Sequence, residues 1–122
     1  MILADTSVWV DHLRKGDEAL AHELGNTMVL SHPFVVGELA LGNLSNRVEI
    51  LSLLNTLPKA RTASDAEVLH LVESRQLMGR GIGLVDGHLL ASVLLSQSTK
   101  LWTRDKKLRS VAAELDLIYE ER

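Results

Sequence analysis

The chain contains no cysteine and few aromatic residues. The missing cysteines exclude disulfide bonds, thiol nucleophiles and cysteine-ligated zinc sites. Aromatic residues make up 3% of the chain, which argues against binding single-stranded nucleic acid by stacking bases on aromatic side chains. No apolar run approaches the roughly 18 residues that a membrane-spanning helix needs. We therefore expect no membrane association and a core built from aliphatic side chains.

The N-terminus lacks a basic segment and begins at once with apolar residues, so we expect no signal peptide and a cytoplasmic protein. A chain of 122 residues, 46% of them hydrophobic, is large enough for one domain spanning residues 1–122. The formal net charge is −3, whereas proteins that bind nucleic acids are more often basic. The segment from Lys100 to Arg109 is an exception, because it contains five basic residues and one acid.

Short apolar segments alternate with helix-like segments along the chain. Strands are predicted over residues 2–5, 27–31, 60–63, 100–103 and 117–119. Helices are predicted over residues 7–13, 17–24, 34–42, 47–57, 65–78, 84–96 and 105–115. This alternation predicts an α/β fold with a mainly parallel sheet. The helix at 34–42 is apolar all round and is expected to be buried, and in the next helix Val48 and Leu54 are expected to face the core.

Four acids stand in unusual places. Asp5 ends an apolar strand, Glu38 and Asp86 are the only charges in two strongly apolar helices, and Asp105 follows the strand at 100–103. Carboxylates are rarely fully buried without a partner, and an isolated buried one has its pKa raised. A divalent cation shared by Asp5, Glu38 and Asp86 would account for these three, and oxygen ligands of this kind suit Mg²⁺ or Mn²⁺.

Each acid also has a simpler interpretation. Asp5, Asp86 and Asp105 could each cap a helix N-terminus, where Asp is among the preferred residues. Glu38 could be a partly exposed helix residue. These interpretations remain open for each acid taken alone, although three of the four segments are among the most apolar in the chain.

Two hydroxyl residues, Thr6 and Ser7, follow Asp5 directly. Both are good helix caps. If Asp5 is a metal ligand, we expect Thr6 or Ser7 to cap the first helix in its place. Ser7 could also hydrogen-bond a water on the metal.

Four motifs of the chain resemble those of the PIN-domain ribonucleases, and within them the VapC toxins of bacterial and archaeal toxin–antitoxin pairs. The motifs are Ile-Leu-Ala-Asp-Thr-Ser at 2–7, Val-Gly-Glu-Leu-Ala-Leu-Gly at 36–42, the acid heading an apolar helix after Gly-Ile-Gly at 81–83, and Leu-Trp-Thr-Arg-Asp at 101–105. Their order and spacing and the chain length all agree with that family.

The resemblance implies one PIN domain, a Rossmann-like three-layer sandwich with a central, mainly parallel sheet. It implies a Mg²⁺- or Mn²⁺-dependent endoribonuclease toxin that cleaves RNA phosphodiester bonds and inhibits translation. It also implies a VapB-type antitoxin, a homodimer and a toxin–antitoxin hetero-oligomer. Carried over by position, the catalytic and metal-binding residues are Asp5, Glu38, Asp86 and Asp105.

Further residues have supporting roles in this interpretation. Thr103 matches a hydroxyl residue that often accompanies the last acid of the family, and Ser7 is the second supporting hydroxyl. Contacts to RNA phosphates, which supply most non-specific affinity, are expected from basic residues near the acids. The candidates are Arg80, Arg104, Lys106, Lys107 and Arg109, and the alternative for them is a solvated surface.

The chain departs from the family pattern in two places, since Lys106 and Lys107 follow the last acid where an aromatic residue is frequent, and His88 stands close after the third. Two other functions remain as alternatives. A receiver-like phosphoacceptor domain would need an acceptor Asp at the end of a mid-chain strand, but the segment 60–63 is followed by Ser64 and Asp65, which resemble a helix cap. A catalytically inactive PIN-like RNA-binding module would have no need of all four acids.

Overall fold

The computed structural model describes residues 1–121, which form three strands and seven helices. The strands are β1 (Ile2–Ala4), β2 (Val29–Leu30) and β3 (Lys100–Trp102). They form one sheet in which β1 is central and pairs in parallel with both neighbours. All strand residues except Lys100 are buried. Burial on both faces explains why these segments are continuously apolar, and the predicted α/β fold with a parallel sheet is confirmed.

Every predicted helix is present, with its ends shifted by a few residues. The helices are α1 (Thr6–Lys15), α2 (Glu18–Gly25), α3 (Pro33–Leu41), α4 (Arg47–Thr56), α5 (Asp65–Arg75), α6 (Leu84–Leu95) and α7 (Lys106–Glu114). Within residues 1–121, none of the helices combines the length and the apolar content that crossing a membrane requires.

The strands predicted at 60–63 and 117–119 are wrong as strands. An isolated bridge between Ser31 and Lys59 directly precedes the first region, and one between Leu101 and Ile118 lies within the second. At the first bridge, Ser31 donates to the Pro58 carbonyl and accepts from the Ala60 N–H, so the pairing covers only a single residue of the sheet edge.

The position of β1 determines where polar residues gather. The chain leaves β1 for β2 on one side of the sheet and later returns to β3 on the other side. The carboxyl ends of β1 and β3 lie side by side, since the Asp5 N–H donates to the Trp102 carbonyl at 2.9 Å. In open parallel sheets, ligands bind beyond this edge, where the strand order reverses.

Local capping explains where several helices begin. The Asp17 side chain accepts from the Leu20 N–H and begins α2 as predicted. Ser64 begins α5 with a capping box, in which its hydroxyl accepts from the Glu67 N–H and its own N–H donates to the Glu67 carboxylate. These side chains satisfy N–H groups that have no partner inside the helix.

The packing predicted for α3 and α4 is partly wrong. In α3 only Val35 and Leu39 are buried, and Leu41 is 90% exposed. In α4, Leu54 is buried as predicted, whereas Val48 is 79% exposed. The reason is that α3 packs against α1 and α4 without being enclosed on all sides, so apolar residues on its remaining surface stay in solvent.

Replacing the cap of α5 tests this account of the helix start. Ser64→Ala should lower the free energy of unfolding by about 1 kcal/mol, because the Glu67 N–H loses its acceptor. Urea denaturation measures this change. Ser52→Ala, at an exposed position in α4, should change the stability by less than about 0.5 kcal/mol; equal effects of the two substitutions would contradict the capping role.

Candidate active site

Asp5 follows β1 directly and is 6% exposed. Its Oδ1 accepts from the Ser7 hydroxyl at 2.5 Å and from the Val8 N–H at 3.3 Å, and its Oδ2 accepts from the Thr103 hydroxyl. Burial raises the pKa of Asp5, while these hydrogen bonds act in the opposite direction without cancelling the effect. The carboxylate is therefore well oriented but carries an uncompensated cost of desolvation.

Asp5 itself is the N-cap of α1. The expectation that Thr6 or Ser7 would take over the capping is therefore wrong. Both hydroxyls instead point at carboxylates, since Thr6 donates to Glu38 Oε1 at 2.6 Å and Ser7 donates to Asp5. One carboxylate can both accept from a helix N–H and face a ligand, because each oxygen has two lone pairs.

Glu38 lies within α3 and is exposed, as its simpler interpretation predicted. Neighbouring elements fix both its side chain and the helix. Thr6 fixes the Glu38 carboxylate from α1. His32 caps α3 by accepting from the Phe34 N–H at Nδ1, so its Nε2 carries the proton and donates to Ser92 Oγ at 2.9 Å in α6. Burial, and to a smaller extent His88, lower the pKa of His32 to about 4, so the ring is neutral and this link between α3 and α6 persists at neutral pH.

Asp86 is the third residue of α6, and its Oδ2 accepts from the Gly83 N–H at 3.2 Å. Burial raises its pKa, and the negative charges of Asp105, Asp5 and Glu38 raise it further. The other three predicted acids therefore lie close enough to Asp86 for their charges to act on it, although the four come from different segments of the chain.

Asp105 caps α7 by accepting from the Leu108 N–H at 2.9 Å. Its own N–H donates to Thr103 Oγ1 at 3.1 Å, while the Thr103 hydroxyl donates to Asp5. The fully buried Thr103 thereby joins the last acid to the first. The simpler interpretation of Asp105 as a helix cap is confirmed, and it is compatible with a place among the acids.

The PIN domain family matches residues 2–114. Ribonuclease VapC32 of Mycobacterium tuberculosis strain H37Rv is 48% identical over 114 residues, which cover 93% of this chain and 92% of that protein. The protein of the same name from strain CDC 1551 / Oshkosh gives the same values. The chain belongs to the PIN-domain family. Within that family it falls among the VapC proteins, so the resemblance seen in the sequence is confirmed, and all four acids lie inside the matched region of the PIN domain.

The carboxylates of this PIN domain suit a hard divalent cation in their chemistry. They are oxygen donors whose negative charges raise the pKa of Asp86, and a cation would offset that repulsion. Within residues 1–121, no three Asp, Glu or His side chains converge closely enough to form a ligand cluster. Mg²⁺ typically binds through one or two carboxylates and keeps several waters, so such an ion does not require three converging side chains.

Arg80, Arg104 and Arg109 of the PIN domain are already paired with acids. Arg80 contacts Glu114, Arg109 lies 3.4 Å from Glu120, and Arg104 contacts three carboxylates. These pairings argue against the expected role of the three arginines as free phosphate contacts.

Lys106 and Lys107 differ from these arginines. Both are exposed at the start of α7, and neither forms an ion pair within the described part of the chain. The Lys107 side chain lies across Gly81, in the loop that leads to Asp86. That these two lysines contact RNA therefore stays a prediction.

Relieving the repulsion among the acids should stabilise the metal-free PIN domain. Asp86→Asn should raise the free energy of unfolding at neutral pH by roughly 1–2 kcal/mol, the size of one moderately screened charge repulsion, because Asn keeps an acceptor for the Gly83 N–H. The folded-state pKa of Asp86 is raised, so its cost is present above that pKa and disappears as the pH falls through it. The gain should therefore shrink in acid. Urea denaturation in EDTA over a pH series measures it.

Glu73→Gln, at an exposed site on α5, is the matched control and should leave stability nearly unchanged at each pH. A neutral-pH stability of Asp86→Asn at or below that of the unaltered protein would contradict the repulsion.

Proposed function

We propose that this PIN domain is the endoribonuclease toxin of a toxin–antitoxin pair, that it depends on Mg²⁺ or Mn²⁺, and that its cleavage of RNA inhibits translation. The observation that carries the proposal is the convergence of the acids: the Thr103 hydroxyl joins Asp5 to Asp105, and Thr6, next to Asp5, binds Glu38. Burial raises the pKa of Asp86, and the charges of the other three acids raise it further. The likeness to a relative whose name is ribonuclease supports RNA as the substrate.

The residues proposed to hold the metal are Asp5, Glu38 and Asp86, directly or through bound waters, with Asp105 as a direct or water-mediated ligand. A bound divalent ion would lower the pKa of a bound water and offset charge on the phosphoryl oxygens. The hydroxyls of Ser7 and Thr103 fix the orientation of the Asp5 carboxylate.

Glu38 or Asp105 is the proposed group that orients the attacking water or accepts its proton. Thr6 donates to Oε1 of Glu38, and the Leu108 N–H donates to Oδ1 of Asp105. Each hydrogen bond fixes one oxygen of its carboxylate, and the other oxygen is the proposed proton acceptor. Attack on the phosphorus breaks the bond to the 3′ oxygen and leaves a 5′-phosphate and a 3′-hydroxyl.

We further propose a VapB-type antitoxin as the inhibitory partner, together with a homodimer and a toxin–antitoxin hetero-oligomer. Membership of the VapC group supports these partners. Exposed apolar side chains on α3 and α4, such as Leu41 and Val48, also favour contact with another protein chain.

The alternatives to an active ribonuclease receive less support. A receiver-like domain would need an acceptor Asp at the end of a strand at 60–63, but this segment forms no strand and only follows the isolated bridge at Lys59. A protein that binds RNA but does not cleave it in the test below would be a catalytically inactive RNA-binding module.

Cleavage should depend on both a divalent ion and the acids. Asp5→Asn and Asp86→Asn should each lower the rate of RNA cleavage by about 10²-fold or more, and EDTA should abolish cleavage that Mg²⁺ or Mn²⁺ restores. The assay follows a labelled RNA with purified protein, and sequencing of RNA 5′ ends after induction in cells identifies the cleaved RNA. Asp116→Asn, at a fully exposed position, should retain activity. Undiminished cleavage by both variants of the proposed ligands would refute the assignment.

The two exposed lysines should act on RNA binding and not on chemistry. Lys106→Ala and Lys107→Ala should each raise KM a few-fold and reduce the slope of log KM against log salt by about 1, with kcat nearly unchanged. Lys15→Ala, at the far end of α1, is the control and should change neither quantity. Unchanged salt slopes for both lysine variants would remove them from the RNA interface.

A further inference from the structure

We infer that Arg104 is a positioning residue for the acids, which acts by fixing the turn between β3 and α7 and does not itself touch RNA. The inference rests on the proposed nuclease function for its effect on rate. Its structural part, a clamp on the turn, stands on contacts within the chain.

The Arg104 side chain binds three carboxylates from three separate segments. Nη1 lies 2.8 Å from Asp11 in α1, Nη2 lies 2.6 Å from Asp17 at the start of α2, and Nε lies 2.8 Å from Glu121 near the C-terminus. The guanidinium also stands over the Trp102 ring, 5.5 Å from its centroid. Every guanidinium nitrogen contacts a carboxylate, so a phosphate at Arg104 would compete with three acids already bound there.

The backbone of Arg104 is linked to Asp5 through the Ser7 hydroxyl. The Arg104 N–H donates to Ser7 Oγ at 3.0 Å, which leaves the Ser7 hydroxyl proton to donate to Asp5 Oδ1 at 2.5 Å. The residue before it donates its hydroxyl to Asp5 Oδ2, and the residue after it is Asp105. Three consecutive residues of this turn therefore orient Asp5 and place Asp105.

Arginine suits this position because its planar head offers five N–H donors in fixed directions. A lysine ammonium would keep the positive charge but could not hold three carboxylates in these directions at once. Arg104→Lys therefore separates the effect of the clamp from the effect of charge. Arg104→Met removes the charge while keeping an apolar stem over Trp102.

The first test needs neither metal nor RNA. Amide hydrogen exchange at residues 104 and 105, followed by NMR in EDTA, should become about 10-fold faster or more in Arg104→Met and in Arg104→Lys, because the turn opens more often. Lys100→Met is the control, since Lys100 lies at the other end of β3 and pairs with Asp116. It should leave exchange at 104 and 105 unchanged. Exchange rates in the Arg104 variants equal to those of the unaltered protein would overturn the clamp.

The second test measures cleavage at a temperature where each variant is fully folded by circular dichroism. Arg104→Met and Arg104→Lys should each lower kcat by about 10–100-fold, the usual effect of losing a residue that orients a metal ligand. KM and the salt slope should stay unchanged. A folded variant with normal kcat, or a raised KM with a smaller salt slope, would overturn the inference, the second result by making Arg104 a phosphate contact.

Glu121→Gln provides a milder variant if the Arg104 substitutions do not fold. It removes one charge from the clamp, so it should accelerate exchange at residue 104 and lower kcat several-fold. If the unaltered protein cleaves no RNA with Mg²⁺ or Mn²⁺, the proposed function fails, whereas the exchange experiment still decides whether Arg104 fixes the turn.

Discussion

The buried carboxylate of Asp5 at the end of the central strand is the constraint on which the site depends. Desolvation raises its pKa more than the hydroxyls of Ser7 and Thr103 lower it, so the fold holds an acid at a position that disfavours its charge. Burial also raises the pKa of Asp86, and its acidic neighbours raise it further. The N-termini of α1, α6 and α7 offset part of this cost, because a helix N-terminus favours negative charge. A divalent cation would offset more.

The topology of the sheet brings the first and the last of these acids together through two short turns. Because β1 lies between β2 and β3, the turn after β3 stands beside the turn after β1. Thr103 then joins Asp5 to Asp105 through a single hydroxyl. Arg104 ties the same turn to α1, α2 and the C-terminal segment, so the geometry of the acids depends on segments that lie far apart in the sequence. Capping, packing and the proposed chemistry thus share the same side chains.

The order of the helices and the place of the four acids could be predicted from the sequence, because apolar periodicity and an acid in an apolar segment are local signals. The ion pairs and hydrogen bonds between residues far apart in the sequence could not be predicted. Nothing near Arg104 in the sequence indicates that Asp11 and Asp17 neutralise it. Nor does the sequence indicate that Thr6 binds Glu38, although a hydroxyl residue directly after an acid was a partial signal. The exposure of Val48 depends likewise on which neighbours cover α4.

The most direct test of the shared cation site is a crystal structure of the protein grown with Mn²⁺, with anomalous diffraction data collected at the manganese absorption edge. The account predicts an anomalous peak between the carboxylates, at coordination distance from an oxygen of Asp5 or Asp86, with waters completing the shell. A manganese peak only at other surface acids, or no peak at a concentration that supports RNA cleavage, would contradict it.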